Sequence, residues 1–279
     1  MAYRDLQHFI DILEKKGELV KIREEISPDL EITEVTDRVS KKTGPALLFE
    51  KPKGFDIPVL MNAFGSSKRM NLALEVENLS EIGEEILSFI ETEMPSGLIK
   101  KLRLLPKLKR LADTAPIEVK DAPCQEVVIQ EGIDLDIFPI LKCWPMDGGK
   151  FITLPLVFTR HPRTGMRNVG MYRMQVFDQK TTGMHWHIHK GGADHYRIAE
   201  RLNQRLEVAV ALGPDPAVTY AATAPLPQDI DEMIFAGFLK REPVAMVKCL
   251  TVQLKVPANS QIILEGYVNP GERRREGPF

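Results

Sequence analysis

Four of the six histidines of this chain fall in one short segment, TTGMHWHIHKGGADH at residues 181–195, around a single tryptophan. In an extended strand His185, His187 and His189 share a face, an arrangement that suits a metal or anion cluster. Lys190, Gly191 and Gly192 then read as a backbone nest opening a helix, where phosphate binds well. Two other readings stand beside that one: a structural His-rich hairpin, and a zinc site, for which three alternating imidazoles are an uncommon spacing. A second cluster, RNVGMYRMQVFD at residues 167–178, places an Asn and an Arg in a strand-like run that gives no periodic reason for either. Alternation sets Arg173, Gln175 and Phe177 on one face with Val169 and Met171, and Asn168 on the other. For both Asn168 and Arg173 to reach one pocket, either Asn168 lies in the loop before the strand or a bulge near Gly170 redirects it. Arg173 is then either a catalytic group or an arginine on the rim of a half-exposed strand. The third cluster is the tail at residues 265–279, where Glu265, Glu272 and Glu276 are separated by Gly266, Gly271 and Gly277 and by Arg273, Arg274 and Arg275. Carboxylates beside arginines are usually weak surface pairs. One enclosed in an apolar site instead becomes a tuned acid or base.

Composition bounds what these clusters serve. The 279 residues are 43% hydrophobic and 27% charged, with 37 basic against 39 acidic groups and a net charge of -2. That describes a globular chain with one large core or two modest ones, and excludes disordered, collagen-like and disulfide-dense classes. It gives no electrostatic reason to expect nucleic acid or an anionic membrane as partner, and points to small molecules or proteins. Cys124, Cys143 and Cys249 form an odd set with no CxxC pair and read as free thiols in a reducing cytosol. No run reaches the roughly 18 apolar residues of a membrane span, and the charged opening carries no export signal, so a cytoplasmic location is expected. GxGxxG, P-loop, HExxH and GxSxG motifs are absent, which removes the usual support for simple dehydrogenase, NTPase, zincin and serine hydrolase readings.

The elements that must position the clusters follow from periodicity. Leu6, Phe9, Ile10 and Leu13 predict a helix that Gly17 stops. A second helix is predicted to start at Ser27, with Pro28 in its first turn and Ile32, Val35 and Val39 as its stripe. Strands at residues 46–49 and 59–61 and a helix at 79–92 complete an α/β unit. Residues 100–110 carry six basic groups among leucines, either a patch for an acidic partner or lipid, or a solvated amphipathic linker helix. A domain boundary is placed near residue 115. Beyond it strands are predicted at 127–129, 152–159, 169–177, 208–212, 245–252 and 261–268, interrupted by helices at 194–205 and 229–239. Antiparallel strands with inserted helices describe a barrel-like α+β domain.

Taken together the segments resemble the UbiD-type decarboxylases, the prenylated-flavin-dependent family that includes the polyprenyl 4-hydroxybenzoate carboxy-lyase of ubiquinone synthesis. The resemblance begins with YRDLQHFIDILEKKGELVKI at Tyr3 and runs through NVGMYR at Asn168, HKGGA at His189, ALGPDPA at Ala211, FAGFL at Phe235 and VKCLTVQLKVPA at Val247. It closes with LEGYVNPGE and EGPF. It implies an α+β fold: an N-terminal α/β domain at residues 1–115, then a split β-barrel flavin-binding domain with inserted helices at 116–279. The family's C-terminal α/β domain, which helps assemble oligomers, is absent, so the chain reads as a fragment or truncated product.

The same resemblance implies prenylated FMN as cofactor and Mn2+, with K+ as an optional further ion. The metal ligands fall on Asn168, His189 and Glu232, and oxygen-rich ligation with one imidazole suits such an ion. The cofactor contacts fall on Met171, Tyr172, Arg173, His185, Trp186, His187, Lys190 and Gly191; where some relatives have Arg before the tryptophan, this chain has His185. The catalytic pair falls on Arg173 and Glu276, and a second acid, the family's proton donor, falls two positions beyond Phe279. With that acid outside the chain and Glu276 at a frayed end, residues 1–279 alone are expected to bind cofactor weakly and turn over little. The implied reaction is reversible non-oxidative decarboxylation of an aromatic or α,β-unsaturated carboxylic acid, in quinone biosynthesis. The implied partners are that small-molecule acid, a UbiX-like flavin prenyltransferase as cofactor supplier and, at full length, further copies of the chain; neither nucleic acid nor an integral membrane segment is implied. Two readings compete: a flavin-binding module or subunit without turnover of its own, and a metal-dependent hydrolase built on the histidines.

Overall fold

A computed structural model describes residues 3–90, 112–226 and 230–279. Helix α1 (Leu6–Lys15) starts where Asp5 accepts the His8 N–H, the side-chain cap that an uncapped first turn needs. Strand β1 (Leu19–Ile22) follows, then α2 (Glu31–Lys41), β2 (Ala46–Phe49), β3 (Val59–Met61), α3 (Ser67–Ala73) and α4 (Leu79–Ile90). Strands β1 and β2 run parallel with α2 as their crossover, and β3 adds antiparallel to β2. The run Ala46–Phe49 is apolar throughout because both its faces are covered. Ala46 packs with Phe9 and Leu13 of α1, while Leu47 and Phe49 pack with Ile32 of α2.

The second part holds β4 (Ile117–Glu118), β5 (Phe151–Ile152), β6 (Leu156–Arg160), β7 (Arg167–Met171) and β8 (Met174–Gln175), then α5 (Gly191–Arg201) and β9 (Leu206–Leu212). It continues with α6 (Pro216–Ala221), α7 (Glu232–Lys240), β10 (Ala245–Lys248), β11 (Lys255–Pro257) and β12 (Ile262–Val268). Its strands form three sheets: β12-β9-β6-β7, fully antiparallel, β11-β10-β4, and the pair β5-β8. Alternation divides the four-stranded sheet's apolar residues between two cores. Leu156, Phe158, Ala209 and Ala211 face α6, α7 and β10; Val157, Val208 and Val210 face Ile152, Tyr172 and Met174 across the gap to β5-β8. This is the α+β architecture expected, its barrel split into separate sheets. Among the described residues no helix is long and apolar enough to cross a membrane.

Several boundaries differ from the periodicity. Helix α2 begins four residues after Ser27, because the backbone at 28–30 is engaged elsewhere: Leu30 N–H donates to Lys142 O and Lys142 N–H to Pro28 O. Residues 127–129 form no strand, and Val127 is 81% exposed. The 152–159 run breaks at Leu154, whose φ of 55° lies in the left-handed region, beside Pro155, which has no N–H to pair. The 245–252 run ends at Lys248 because Glu265 accepts the Leu250 and Thr251 N–H groups and folds the chain into a loop. The strand Lys255–Pro257 and helices Ser67–Ala73 and Pro216–Ala221 were not anticipated. The basic stretch at 100–110 and the last two residues of the 79–92 helix lie outside the described residues.

A buried ion pair inside the second part also reaches the first through one hydrogen bond. Lys240 Nζ reaches Asp215 Oδ2 at 2.8 Å, both side chains under 10% exposed, and Tyr3 O at 3.4 Å, while Asp215 also caps α6 through the Ala217 and Val218 N–H groups. Removing one partner of such a pair strands the other charge. Lys240→Met is therefore expected to cost about 3–5 kcal/mol, read as a lower urea midpoint; a change under about 1 kcal/mol, the value of an exposed pair, would contradict it.

Candidate active site

The RNVGMYRMQVFD run does not stay in one sheet. Its first half, β7, pairs with β6, and its second, β8, pairs with β5. Between them Tyr172 and Arg173 belong to neither ladder. Neither arrangement considered for Asn168 is present: it lies inside β7, opposite Thr159, and the change of sheet re-aims Arg173. Segment 181–192 then runs back alongside, with Gly183 N–H donating to Gln175 O, His185 N–H to Arg173 O, and Gly192 N–H to the Tyr172 hydroxyl. The two segments frame one site with two ends.

At the first end, Arg173 Nε lies 3.0 Å from Glu276 Oε1 and His185 Nδ1 lies 2.6 Å from Glu276 Oε2. Burial pushes the Glu276 carboxyl up, but the hydrogen bonds from Arg173 and His185 outweigh it and hold the group below the usual carboxylate range. Glu276 is not on a frayed end. Gly277 N–H donates to Gln175 Oε1 at 2.8 Å, Gly148 N–H donates to Pro278 O at 2.8 Å, and the Phe279 ring lies 4.6 Å from Phe151. Arg173 stacks over Phe279 at 4.9 Å and Phe151 at 5.9 Å, which takes its cationic plane partly out of water. Gln175, 6% exposed, and Phe151 are site residues the sequence reading left unassigned; an amide inside an apolar run was the available signal.

At the second end, Asn168, Glu232 and the start of α5 meet on β7. Glu232 Oε2 accepts the Val169 N–H at 3.1 Å, and α7 is set there because Asp231 both caps it and pairs with Arg167. Desolvation raises the Glu232 carboxyl to about 7, against the hydrogen bond from Val169. A Cβ on Gly191 would sit 1.9 Å from Asn168 Oδ1, and one on Gly192 would sit 2.7 Å from Trp186 Nε1, so only glycine allows the backbone this approach. Asn168 Nδ2 and Trp186 Nε1 are buried with no hydrogen-bond partner. An amide turned by 180° exchanges oxygen for nitrogen at such a position. Trp186 packs between Tyr172 and Tyr196, and burial pushes the Tyr172 phenol up. A half-buried carboxylate with a backbone donor, a buried amide nitrogen without a partner and a glycine-lined helix start have the donor chemistry that suits a cation with an anionic ligand.

The remaining expected residues divide. Met171 ends β7 and is half-buried, whereas His187, His189 and Lys190 are exposed. His187 Nε2 lies 3.2 Å from His185 Nε2. Among the described residues no group of three His, Cys, Asp or Glu could hold a metal, so the zinc reading of His185, His187 and His189 is not supported. Glu265 and Glu272 serve the loop at 250–251 and Asn269 and stand apart from Arg173.

Two family profiles match this chain. The 3-octaprenyl-4-hydroxybenzoate carboxy-lyase N-terminal domain covers residues 10–86, and the 3-octaprenyl-4-hydroxybenzoate carboxy-lyase Rift-related domain covers residues 116–279. The chain belongs to the UbiD family. An uncharacterised protein of Archaeoglobus fulgidus is 58% identical over 280 residues, which take in 100% of this chain and 57% of that relative. An evolved dimeric form of the UbiD-class enzyme HmfF from Pelotomaculum thermopropionicum, in complex with prFMN, matches with a TM-score of 0.85 at 30% identity. That match covers 99% of this chain and 60% of the other. Vanillic acid decarboxylase from Sedimentibacter hydroxybenzoicus in closed form matches with a TM-score of 0.85 at 30% identity, over 100% of this chain and 58% of that one. The chain thus spans less than two thirds of the length of these relatives.

Behind Asn168, its register partner Thr159 binds His195 Nδ1 at 2.9 Å, inside the protein. Burial, with the neighbouring His161 adding to it, pushes His195 from 6.5 down to about 4. A histidine held neutral by folding binds fewer protons folded than unfolded. Its stability is fully present above pH 6.5 and is lost as pH falls toward 4. Thermal unfolding should therefore shift downward across that window, and His195→Gln should flatten the slope; an equally steep slope in the variant would exclude His195 as its source.

Proposed function

We propose that the protein to which this chain belongs is a prenylated-FMN-dependent carboxy-lyase. It carries out reversible, non-oxidative decarboxylation of an aromatic or α,β-unsaturated carboxylic acid, with quinone biosynthesis as its setting. The observation that carries this reading is the Arg173–Glu276 pair, partly enclosed by two phenylalanines and linked through four residues to the Asn168–Gly191 contact. Bound prenylated FMN supplies an electron sink for loss of CO2. Arg173 orients the substrate carboxylate, Glu276 fixes the guanidinium, and Phe151 and Phe279 exclude water, which strengthens each charge interaction at that end. Asn168, His189 and Glu232 would hold Mn2+, with K+ as an optional neighbour, and such a cation would supply charge neutralisation for the flavin phosphate. Lys190 and the start of α5 would face the same anion, while Met171, Tyr172, Trp186 and His187 would border the flavin. Each turnover consumes one proton and releases one CO2.

In this reading residues 1–115 and 116–279 are two folding units, the working protein is a cytoplasmic homo-oligomer, and a UbiX-like prenyltransferase supplies its cofactor. The test is co-production with such a prenyltransferase, mass spectrometry of the bound flavin and measurement of CO2 release from a panel of aromatic and acrylic acids. Glu276→Gln should retain flavin and slow CO2 release by about 100-fold, the scale of losing the contact that positions Arg173. Gly191→Ala, whose Cβ would meet Asn168, should lose flavin instead. No prenylated flavin and no CO2 from any acid would refute the proposal.

A further inference from the structure

His185 occupies the place where some family members carry Arg, and its resemblance-based role is contact with the cofactor. Its ring nitrogens are already engaged. Nδ1 lies 2.6 Å from Glu276 Oε2, and Nε2 lies 3.2 Å from His187 Nε2. An ionised carboxylate carries no proton, so Nδ1 bears the hydrogen of the first contact. The backbone is fixed as well, with His185 N–H donating to Arg173 O at 3.2 Å, and His187 stands edge-on at 4.6 Å between ring centroids. Neither nitrogen is left to meet a phosphate oxygen.

Glu276 shows what the ring does there. Arg173 meets only Oε1. Without a second donor, Oε2 would be a partly desolvated anionic oxygen with no partner, free to rotate the carboxylate off the guanidinium. The charged and titratable groups around Glu276 are Arg173 and His185 in contact and His187 behind His185. Arg274 turns away, over the Phe177 ring and toward Thr181.

We propose that His185 is a positioning residue for Glu276: it holds the carboxylate oxygen that Arg173 leaves free, and thereby fixes the orientation of the pair and keeps Glu276 ionised. Its catalytic meaning rests on the decarboxylase reading above, whereas the contact can be measured without turnover.

The test uses the chain without flavin, labelled with carbon-13 at glutamate side-chain carboxyls, with Glu276→Gln identifying the Glu276 resonance. His185→Phe should raise the Glu276 titration midpoint. His185→Asn, whose amide nitrogen stands where Nδ1 stood, should keep it at the wild-type position. If His185→Phe does not fold, His185→Gln replaces it, since its amide sits at the place of Nε2 and cannot reach Glu276. A Glu276 midpoint that is unmoved by losing the imidazole overturns the proposal. A midpoint that depends on His185 in a protein that releases no CO2 overturns the decarboxylase reading and leaves the contact standing.

Discussion

Taking a carboxylate out of water costs several kcal/mol unless donors replace the lost hydration, and much of the second part of this chain is arranged around meeting that requirement for Glu276. One oxygen faces Arg173 and the other His185, so the carboxyl stays ionised although it is only 15% exposed. For Arg173 to arrive there, the chain must leave one sheet for another directly before it, and for His185 to arrive, the returning segment must pair with the same stretch. The tail backbone is held by Gln175 and Gly148, and the aromatic rings of Phe151 and Phe279 cover the guanidinium.

The opposite end shows the same physics left incomplete. Among the described residues Glu232 accepts the Val169 N–H and meets no cation, and Asn168 and Trp186 have buried nitrogens without partners. Buried polar groups are nearly always satisfied, so unsatisfied ones gathered beside a glycine-lined helix start set this end apart from the rest of the fold. The change of sheet at Tyr172 and Arg173 therefore joins two environments: a closed ion pair at one end and a half-buried carboxylate with unpartnered polar nitrogens at the other.

Core packing fixes how far apart these ends lie. Val157, Val208 and Val210 on one face, and Phe158, Ala209 and Ala211 on the other, leave the four-stranded sheet no freedom to slip, because a shift of one residue would exchange its two faces. Asn168 is thereby held opposite Thr159, and Glu232 beside Val169, by the register of β6 and β7 and by the Asp231 cap.

The elements with a strong local pattern were legible from the amino-acid sequence alone. The stripe of α1, the doubly covered strand Ala46–Phe49 and the long strand β12 all follow from spacing, and the order of clustered motifs points to the family and to the residues gathered here. Local patterns failed where a distant partner decided the outcome. Ser27 can cap a helix, yet the bridge to Lys142 uses that backbone first; residues 127–129 have strand composition but pair with no strand among the described residues; residues 245–252 read as one strand, yet Glu265 of β12 takes the Leu250 and Thr251 N–H groups into a loop. Alternation also could not bring Asn168 and Arg173 into one site, because it assumes a single straight strand. The sequence alone determined which groups have the chemistry and which face of each regular element is apolar, since both depend on residues close in the chain. Only the tertiary structure decided that Arg173 and His185 share one carboxylate 91 or more residues away, because that contact depends on how two sheets exchange a strand and not on any spacing within it.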